Sequence, residues 1–215
     1  MTTDKLVVDQ LHRRAIRLEW FTTIWNVIEA LVAIIAGLVA GSIALIAFGI
    51  DSLIEVVSAG AVLWRLLTAG PAASAEEHEV AEAVALRVVA ITFLLLAAYM
   101  IVGALSSLLG RQAPESSTIG LGLSIASLIV MPALAIAKQR TARQMGSKSL
   151  EADAVETWVC AYLSASLLVG VGLNYALGWW WADPVAALVM VPFVLWQART
   201  ANREAGERLE MEADA

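Results

Sequence analysis

Six long apolar segments alternate with short polar stretches along the chain. About 20 apolar residues suffice for a helix to cross the hydrocarbon core of a bilayer, and each segment reaches or approaches that length. The pattern therefore predicts an all-α membrane protein with six transmembrane helices. The predicted spans cover residues 21–40, 43–66, 84–109, 118–138, 150–176 and 184–200.

Composition supports a membrane protein and narrows its function. Of the 215 residues, 60% are hydrophobic and 16% are charged, whereas soluble domains average roughly 45–50% and about 25%. Six spans leave no length for a large soluble catalytic domain, and the net charge of −6 disfavours nucleic-acid binding. The sequence also lacks the His-Glu-x-x-His and Gly-x-Gly-Asp motifs expected of an intramembrane enzyme. We therefore expect neither an enzyme nor a nucleic-acid-binding protein.

Basic residues indicate the orientation of the spans. With the N-terminus in the cytoplasm, every one of the 14 Lys and Arg residues except Arg111 falls on the cytoplasmic side, in agreement with the positive-inside rule. This distribution predicts an even number of spans, both termini in the cytoplasm and a location in the cell membrane. It divides the chain into a cytoplasmic N-terminal segment (1–19), a transmembrane domain (20–200) and a short cytoplasmic tail (201–215).

Acidic and other polar residues interrupt three of the apolar spans. A charged side chain at the bilayer centre costs roughly 2.5–3.5 kcal/mol on insertion scales, so several are rarely retained without a function. Because no buried Lys or Arg is expected beside them, these carboxylates must take up protons or bind a cation. The residues are Asn26 and Glu29 in the first span, Asp51, Ser52, Glu55 and Ser58 in the second, and Asp153, Glu156, Thr157, Cys160 and Ser164 in the fifth.

Helical spacing places these residues on common faces. Asp51 and Glu55 are four residues apart, so they lie one above the other on a helix. Asp153, Glu156 and Cys160, at i, i+3 and i+7, form a second stripe. Two such stripes facing each other would offer several oxygen ligands and a thiolate to a metal ion. We predict a metal site with Asp51, Glu55 and Glu156 at its core and with Cys160 and Asp153 as further candidate ligands.

Several of these residues also have structural interpretations. Asp153 lies near the start of the fifth span, where a carboxylate stabilises a helix N-terminus. Asn26 and Glu29 are candidates for proton coupling, but they could equally form a hydrogen-bonded pair between helices. Cys160 could be a small residue of the core. The sequence leaves these alternatives open.

Two parts of the sequence resemble the cation diffusion facilitator family of metal transporters. The family's second helix is similar to the stretch GSIAL at 41–45 followed by DSLIE at 51–55. Its fifth and sixth helices resemble residues 152–164 and the Ala-Asp-Pro sequence at 182–184. The resemblance covers all six spans. It implies a homodimeric exporter of divalent metals, usually zinc, that is driven by inward proton exchange.

The resemblance also implies a transport site. In the family, an acidic pair of helix two and a His-x-x-x-Asp pair of helix five form this site. Asp51 and Glu55 match the first pair, whereas Glu156 and Cys160 occupy the positions of the second and differ from it. Oxygen ligands favour harder cations such as Mn²⁺, and a thiolate favours Zn²⁺ and softer ions. We expect Zn²⁺ as the transported ion, with Mn²⁺, Fe²⁺ and Cd²⁺ as alternatives, and no permanently bound cofactor.

A cytoplasmic C-terminal metal-binding domain is usual in the family, and the residues after the sixth span leave no room for one. We therefore expect a homodimer that forms through transmembrane helices within the lipid bilayer. The altered helix five also fits a second function, that of a membrane protein that binds metal or a partner as a regulator without transporting anything. Metal binding without flux would distinguish the second function from the first.

Overall fold

The computed structural model describes residues 2–40, 43–70, 75–110 and 118–213. Each of the six predicted apolar segments lies within a helix of its own, which confirms the all-α prediction. The helices are α1 (Thr2–Ala40), α2 (Ile43–Thr68), α3 (Ala75–Gly110), α4 (Thr118–Met145), α5 (Lys148–Leu177) and α6 (Ala182–Ala213). No break in α1 or α6 marks the predicted domain limits near 20 and 200, so those limits stay a prediction.

Three helices of the described residues are long and apolar enough to cross a membrane. The qualifying stretches are Leu6–Val39 in α1, Glu77–Gly110 in α3 and Thr118–Met145 in α4. Large apolar side chains also cover the outside of the bundle, as expected for contact with hydrocarbon rather than water. Examples are Ile24, Ile28, Leu31 and Ile35 on α1, Ile91, Leu94 and Val102 on α3, and Ile125 and Ile129 on α4. The chain is thus a membrane protein.

The six helices form an inner group of four and a flanking pair. Helices α1, α2, α4 and α5 pack around one another, whereas α3 and α6 pack mainly together and flank α2 and α5. An apolar core joins the pair to the inner group, and it includes Val62, Leu66, Phe93, Val159 and Val194. Between the four inner helices, smaller apolar clusters such as that of Met131, Leu134 and Ala161 lie beside buried polar side chains.

A glycine brings α1 and α2 close together beside those polar side chains. A Cβ atom added at Gly49 would lie 2.7 Å from Cγ1 of Ile34 and 3.0 Å from the backbone oxygen of Ala30. Any other residue at this position would therefore push the two helices apart. The close approach lets Glu29 of α1 reach Ser52 of α2, whose hydroxyl donates to Oε2 of Glu29 at 3.2 Å.

Helices α4 and α5 are joined by a two-residue turn. Gly146 has φ of 68°, in the left-handed region that favours glycine, and ends α4. Ser147 then caps α5, since its hydroxyl accepts a hydrogen bond from the backbone N–H of Leu150 at 3.3 Å. The short turn keeps α4 and α5 adjacent and antiparallel.

Candidate cation site

Polar stripes on four helices face one another in the middle of the bundle. On α1 the stripe consists of Glu19, Thr22, Asn26 and Glu29, spaced i, i+3, i+7 and i+10, and every one of them is buried. The other three stripes comprise Asp51, Ser52, Glu55 and Ser58 on α2, Ser124, Ser127 and Lys138 on α4, and Asp153, Glu156, Thr157, Cys160 and Ser164 on α5. We call these side chains the polar interior. A soluble bundle turns mainly apolar faces inward, whereas this bundle buries these polar stripes beside its apolar clusters.

The predicted stripes of α2 and α5 do meet, at Asp51, Glu55 and Cys160. The thiol of Cys160 lies close enough to both carboxylates to interact with them. The hydroxyl of Thr157, one turn along α5, donates to Oε1 of Glu55 at 2.7 Å. Within the described residues, Oδ2 of Asp51 and Oε2 of Glu55 have no hydrogen-bond partner. Two buried acceptor oxygens and a thiol are therefore available to a cation at this point.

Glu29 brings α1 to the same group. Its Oε1 has no hydrogen-bond partner among the described residues, while Ser127 of α4 faces its carboxylate and the charges of Glu55 and Asp51 lie close by. Asn26, one turn before Glu29 on the same helix, donates to the backbone oxygen of Thr22 at 3.1 Å, and its Oδ1 has no hydrogen-bond partner among the described residues. Glu29 therefore lies where its carboxylate could join Asp51, Glu55 and Cys160 in binding a cation.

Glu156 lies to one side of this group. Thr92 of α3 donates to its Oε2 at 3.2 Å, and the nearby charges are those of Asp153 and Glu55. Ser58 of α2 also interacts with this carboxylate, so Glu156 lies between α2 and α3. Its role as a metal ligand stays a prediction.

The expectation that no basic residue lies beside the acids is wrong. Lys138 is fully buried, forms an ion pair with Asp153, and lies 3.4 Å from Oε2 of Glu19. Asp153 also accepts a hydrogen bond of 2.7 Å from Ser58. The sequence placed Lys138 at the cytoplasmic edge of a span ending at 138, but α4 continues to Met145. Lys138 therefore lies about two turns inside the helix, where it faces the acids.

Sequence reasoning missed Glu19, which it assigned to the cytoplasmic N-terminal segment. The side chain is fully buried and points at Lys138. Its position could have been found from spacing, because Glu19 lies seven residues before Asn26 and ten before Glu29. All three then share one helix face.

A second buried ion pair lies at one end of the bundle. We call this the basic end, where α2 finishes after Arg65, α4 finishes after Arg143 and α5 begins at Lys148. Arg65 pairs with Glu82 of α3. The Glu82 carboxylate also accepts a hydrogen bond of 2.6 Å from the backbone N–H of Ser149. It therefore stabilises the N-terminus of α5 as well as the ion pair.

The opposite end, where α1 finishes and α2 begins, contains buried hydroxyl groups, and its described residues form no buried ion pair. Ser124 and Ser127 on α4 and Ser164 on α5 are fully buried. None of the three hydroxyls has a hydrogen-bond partner among the residues that the structure describes. Buried polar groups are normally hydrogen-bonded, so this half of the polar interior is suited to holding water or a hydrated ion.

Charge in the polar interior is strongly unbalanced. Six carboxylates, those of Glu19, Glu29, Asp51, Glu55, Asp153 and Glu156, share one ammonium, that of Lys138. At the same time, no three His, Cys, Asp or Glu side chains in the described ranges are close enough together to hold a metal ion as they stand. A cation would therefore have to draw the side chains around it, which carboxylates on adjacent helix turns can do by small rotations.

Comparison with known proteins places the chain in a family. The family model of the cation efflux transmembrane domain matches residues 20–209. The chain is 28% identical to an uncharacterized transporter of Synechocystis sp. over 170 residues, which are 77% of this chain and 54% of that protein. It is 29% identical to the cation-efflux pump FieF of Shewanella oneidensis over 91 residues, 42% of this chain and 30% of the pump. The chain thus spans about half the length of the first relative. It belongs to the cation diffusion facilitator family.

Proposed function

We propose that this protein transports divalent cations out of the cytoplasm. The observation that carries the proposal is the group of Asp51, Glu55 and Cys160, in which two buried carboxylate oxygens lack hydrogen-bond partners among the described residues. In a helical bundle with an apolar exterior, such groups are costly unless they bind a cation. The family match and the similarity to a cation-efflux pump support the same function.

Zn²⁺ is the proposed cargo, with Cd²⁺, Fe²⁺ and Mn²⁺ as alternatives. A buried thiol between two carboxylates favours borderline and soft ions over hard ones. Glu29 supplies a further oxygen from α1, so that three helices contribute to one cation. No permanently bound cofactor and no enzymatic reaction are part of the proposal.

The chemistry of the proposed ligands supports an exchange of the cation for protons. Carboxylates and thiols must lose their protons before they bind a metal, so metal binding releases protons. When the cation leaves on the far side, the same groups are free to take up protons again. We propose a metal/proton antiport cycle in which the helices rock around a fixed site.

We propose that the protein crosses the cell membrane six times, with both termini in the cytoplasm and the basic end on the cytoplasmic side. We also propose that it forms a homodimer through its transmembrane helices in the lipid bilayer.

Flux into proteoliposomes with an internal pH probe tests the site. We expect Asp51→Asn and Glu55→Gln to reduce Zn²⁺ flux and the coupled pH change to background. Glu151→Gln is the matched control, because this carboxylate lies on α5 but outside the polar interior, in an exposed ion pair with Lys148. If both site variants transport Zn²⁺ as the wild type does, the site is wrong. Equilibrium binding of Zn²⁺ by a wild type that shows no flux would favour a regulatory protein.

The role of the thiol is tested separately with Cys160→Ser. The flux of Zn²⁺, Cd²⁺, Fe²⁺ and Mn²⁺ is compared between this variant and the wild type. A loss confined to Zn²⁺ and Cd²⁺ would identify the sulfur as a ligand. An equal change for all four ions would indicate that Cys160 only fills space between the helices.

A further inference from the structure

Lys138 joins three helices through its ammonium group. It pairs with Asp153 on α5 and lies 3.4 Å from Oε2 of Glu19 on α1. It also donates to Oγ1 of Thr157 at 3.3 Å. Ser58 of α2 binds the same Asp153 carboxylate. All four inner helices therefore meet at one fully buried amine.

This junction lies on a defined side of the candidate cation site. Asp153 precedes Cys160 by seven residues on α5, and Ser58 follows Asp51 by seven residues on α2, which corresponds to about 10 Å along each helix. Both offsets are towards the basic end. Thr157 accepts from the Lys138 ammonium at 3.3 Å and donates to Oε1 of Glu55 at 2.7 Å, so Lys138 borders the candidate cation site on the side of the basic end.

The two buried ion pairs near the basic end differ in how firmly they are held. Glu82, the partner of Arg65, is also bound by the backbone of α5 at Ser149 and by the hydroxyl of Ser147. In the described part of the chain, the side chains of Lys138 and Asp153 have side-chain partners only. The Lys138 ammonium is a compact charge on a flexible four-carbon chain, and it can exchange one carboxylate for another by side-chain rotation alone.

We propose that Lys138 is a tethered cation that closes the passage between the basic end and the candidate cation site, and that a transported cation displaces its ammonium from Asp153 and Glu19. The amine holds the carboxylates that an arriving cation would otherwise bind. Departure of the amine separates the four helices at this level and opens the passage. The inference rests on the proposed transport function for its direction, but closure itself can be measured without transport.

The native Cys160 provides a reporter of closure, because it is the single cysteine of the chain and lies beyond Lys138 as seen from the basic end. Sealed inside-out vesicles are treated with a membrane-impermeant methanethiosulfonate reagent, and the rate of labelling is followed by mass. We expect slow labelling in the wild type and in Lys138→Arg, which keeps the charge. We expect labelling at least about tenfold faster in Lys138→Met, since the closed state loses its ionic contacts.

Two further variants separate closure from folding. Lys148→Met removes a charge from an exposed lysine close by, and it should label as slowly as the wild type. The double variant Lys138→Met/Asp153→Asn removes the pair without leaving the Asp153 charge uncompensated, and it should label fast. Each protein is first checked for a monodisperse, helical state in detergent, and right-side-out vesicles report labelling from the other face.

The outcomes separate this inference from the transport proposal. Equal labelling rates in the wild type, Lys138→Met and the double variant would overturn the role of Lys138, even if Asp51→Asn abolishes flux. Acceleration seen only in right-side-out vesicles would overturn the placement of the closure at the basic end. Faster labelling of Lys138→Met in a protein without flux would support the closure while the transport proposal fails.

Discussion

The buried polar side chains are paired differently towards the two ends of the bundle. Towards the basic end, buried charges form ion pairs: Lys138 binds Asp153 and Glu19, and Arg65 binds Glu82, while Oε1 of Glu19 and Oε1 of Glu156 have no hydrogen-bond partner among the described residues. Towards the opposite end, carboxylate oxygens of Asp51 and Glu29 and the hydroxyls of Ser124, Ser127 and Ser164 lack partners in the described part of the chain. Both halves are equally buried, so burial does not explain the contrast.

We assign different roles to the two halves of the bundle on the basis of this difference. Removing one member of a buried ion pair leaves an uncompensated charge and is costly. Removing a polar atom that has no hydrogen-bond partner forfeits no hydrogen bond, so its burial needs another reason. We interpret the paired half as the part that holds the helices together and closes the passage. We interpret the unpaired half as the part that would bind a cation and its water.

The largest contrast is expected between two lysines. Lys138→Met should lower the free energy of unfolding by about 3–5 kcal/mol, because Asp153 and Glu19 lose their counter-charge. Lys148→Met, at an exposed pair, should change it by less than about 0.5 kcal/mol. Reversible unfolding in mixed micelles measures both values. Equal losses in the two variants would remove the distinction between the paired half and the surface.

A smaller contrast is expected between two aspartates that are changed to the same amide. Asp153→Asn should cost about 3 kcal/mol, since Lys138 keeps Glu19 as a partner but loses its main one. Asp51→Asn should change the free energy of unfolding by less than about 1 kcal/mol, because no bonded partner is lost at Oδ2. The same unfolding assay compares them. A larger loss for Asp51→Asn would show that its carboxylate is structural.

The smallest contrast concerns two serines. Ser147→Ala removes the cap of α5 and a contact with Glu82, so it should cost about 1 kcal/mol. Ser124→Ala removes a hydroxyl without a partner among the described residues and should cost less than about 0.5 kcal/mol. Chemical unfolding of the two variants in parallel checks the difference. A costly Ser124→Ala would mean that the opposite half is held by contacts of its own.

Much of the fold was predictable, because long apolar segments have few alternatives to helices in a bilayer. Helical spacing also predicted that Asp51 and Glu55 share one face of α2 and that Asp153, Glu156 and Cys160 share one face of α5. These predictions depend only on positions within single helices.

The pairing of charges was not predictable in the same way. Lys138 and Glu19 lie at the predicted edges of their spans, and only the lengths of α4 and α1 place them inside the bundle. The surroundings of Glu156 depend partly on α3, which supplies Thr92. Such features follow from which helices are neighbours, and hydrophobic periodicity carries no information about that.

Stabilisation of the protein by Zn²⁺ tests most directly whether a cation binds at Asp51. It requires binding at the unpaired half, and it does not require transport. The free energy of unfolding is measured with and without Zn²⁺ for the wild type, Asp51→Asn and the control Glu151→Gln. At a free concentration 100 times the dissociation constant, a ligand of the native state adds about 2.7 kcal/mol. We predict that gain for the wild type and for Glu151→Gln, and none for Asp51→Asn. The same gain in all three proteins would contradict a cation site at Asp51.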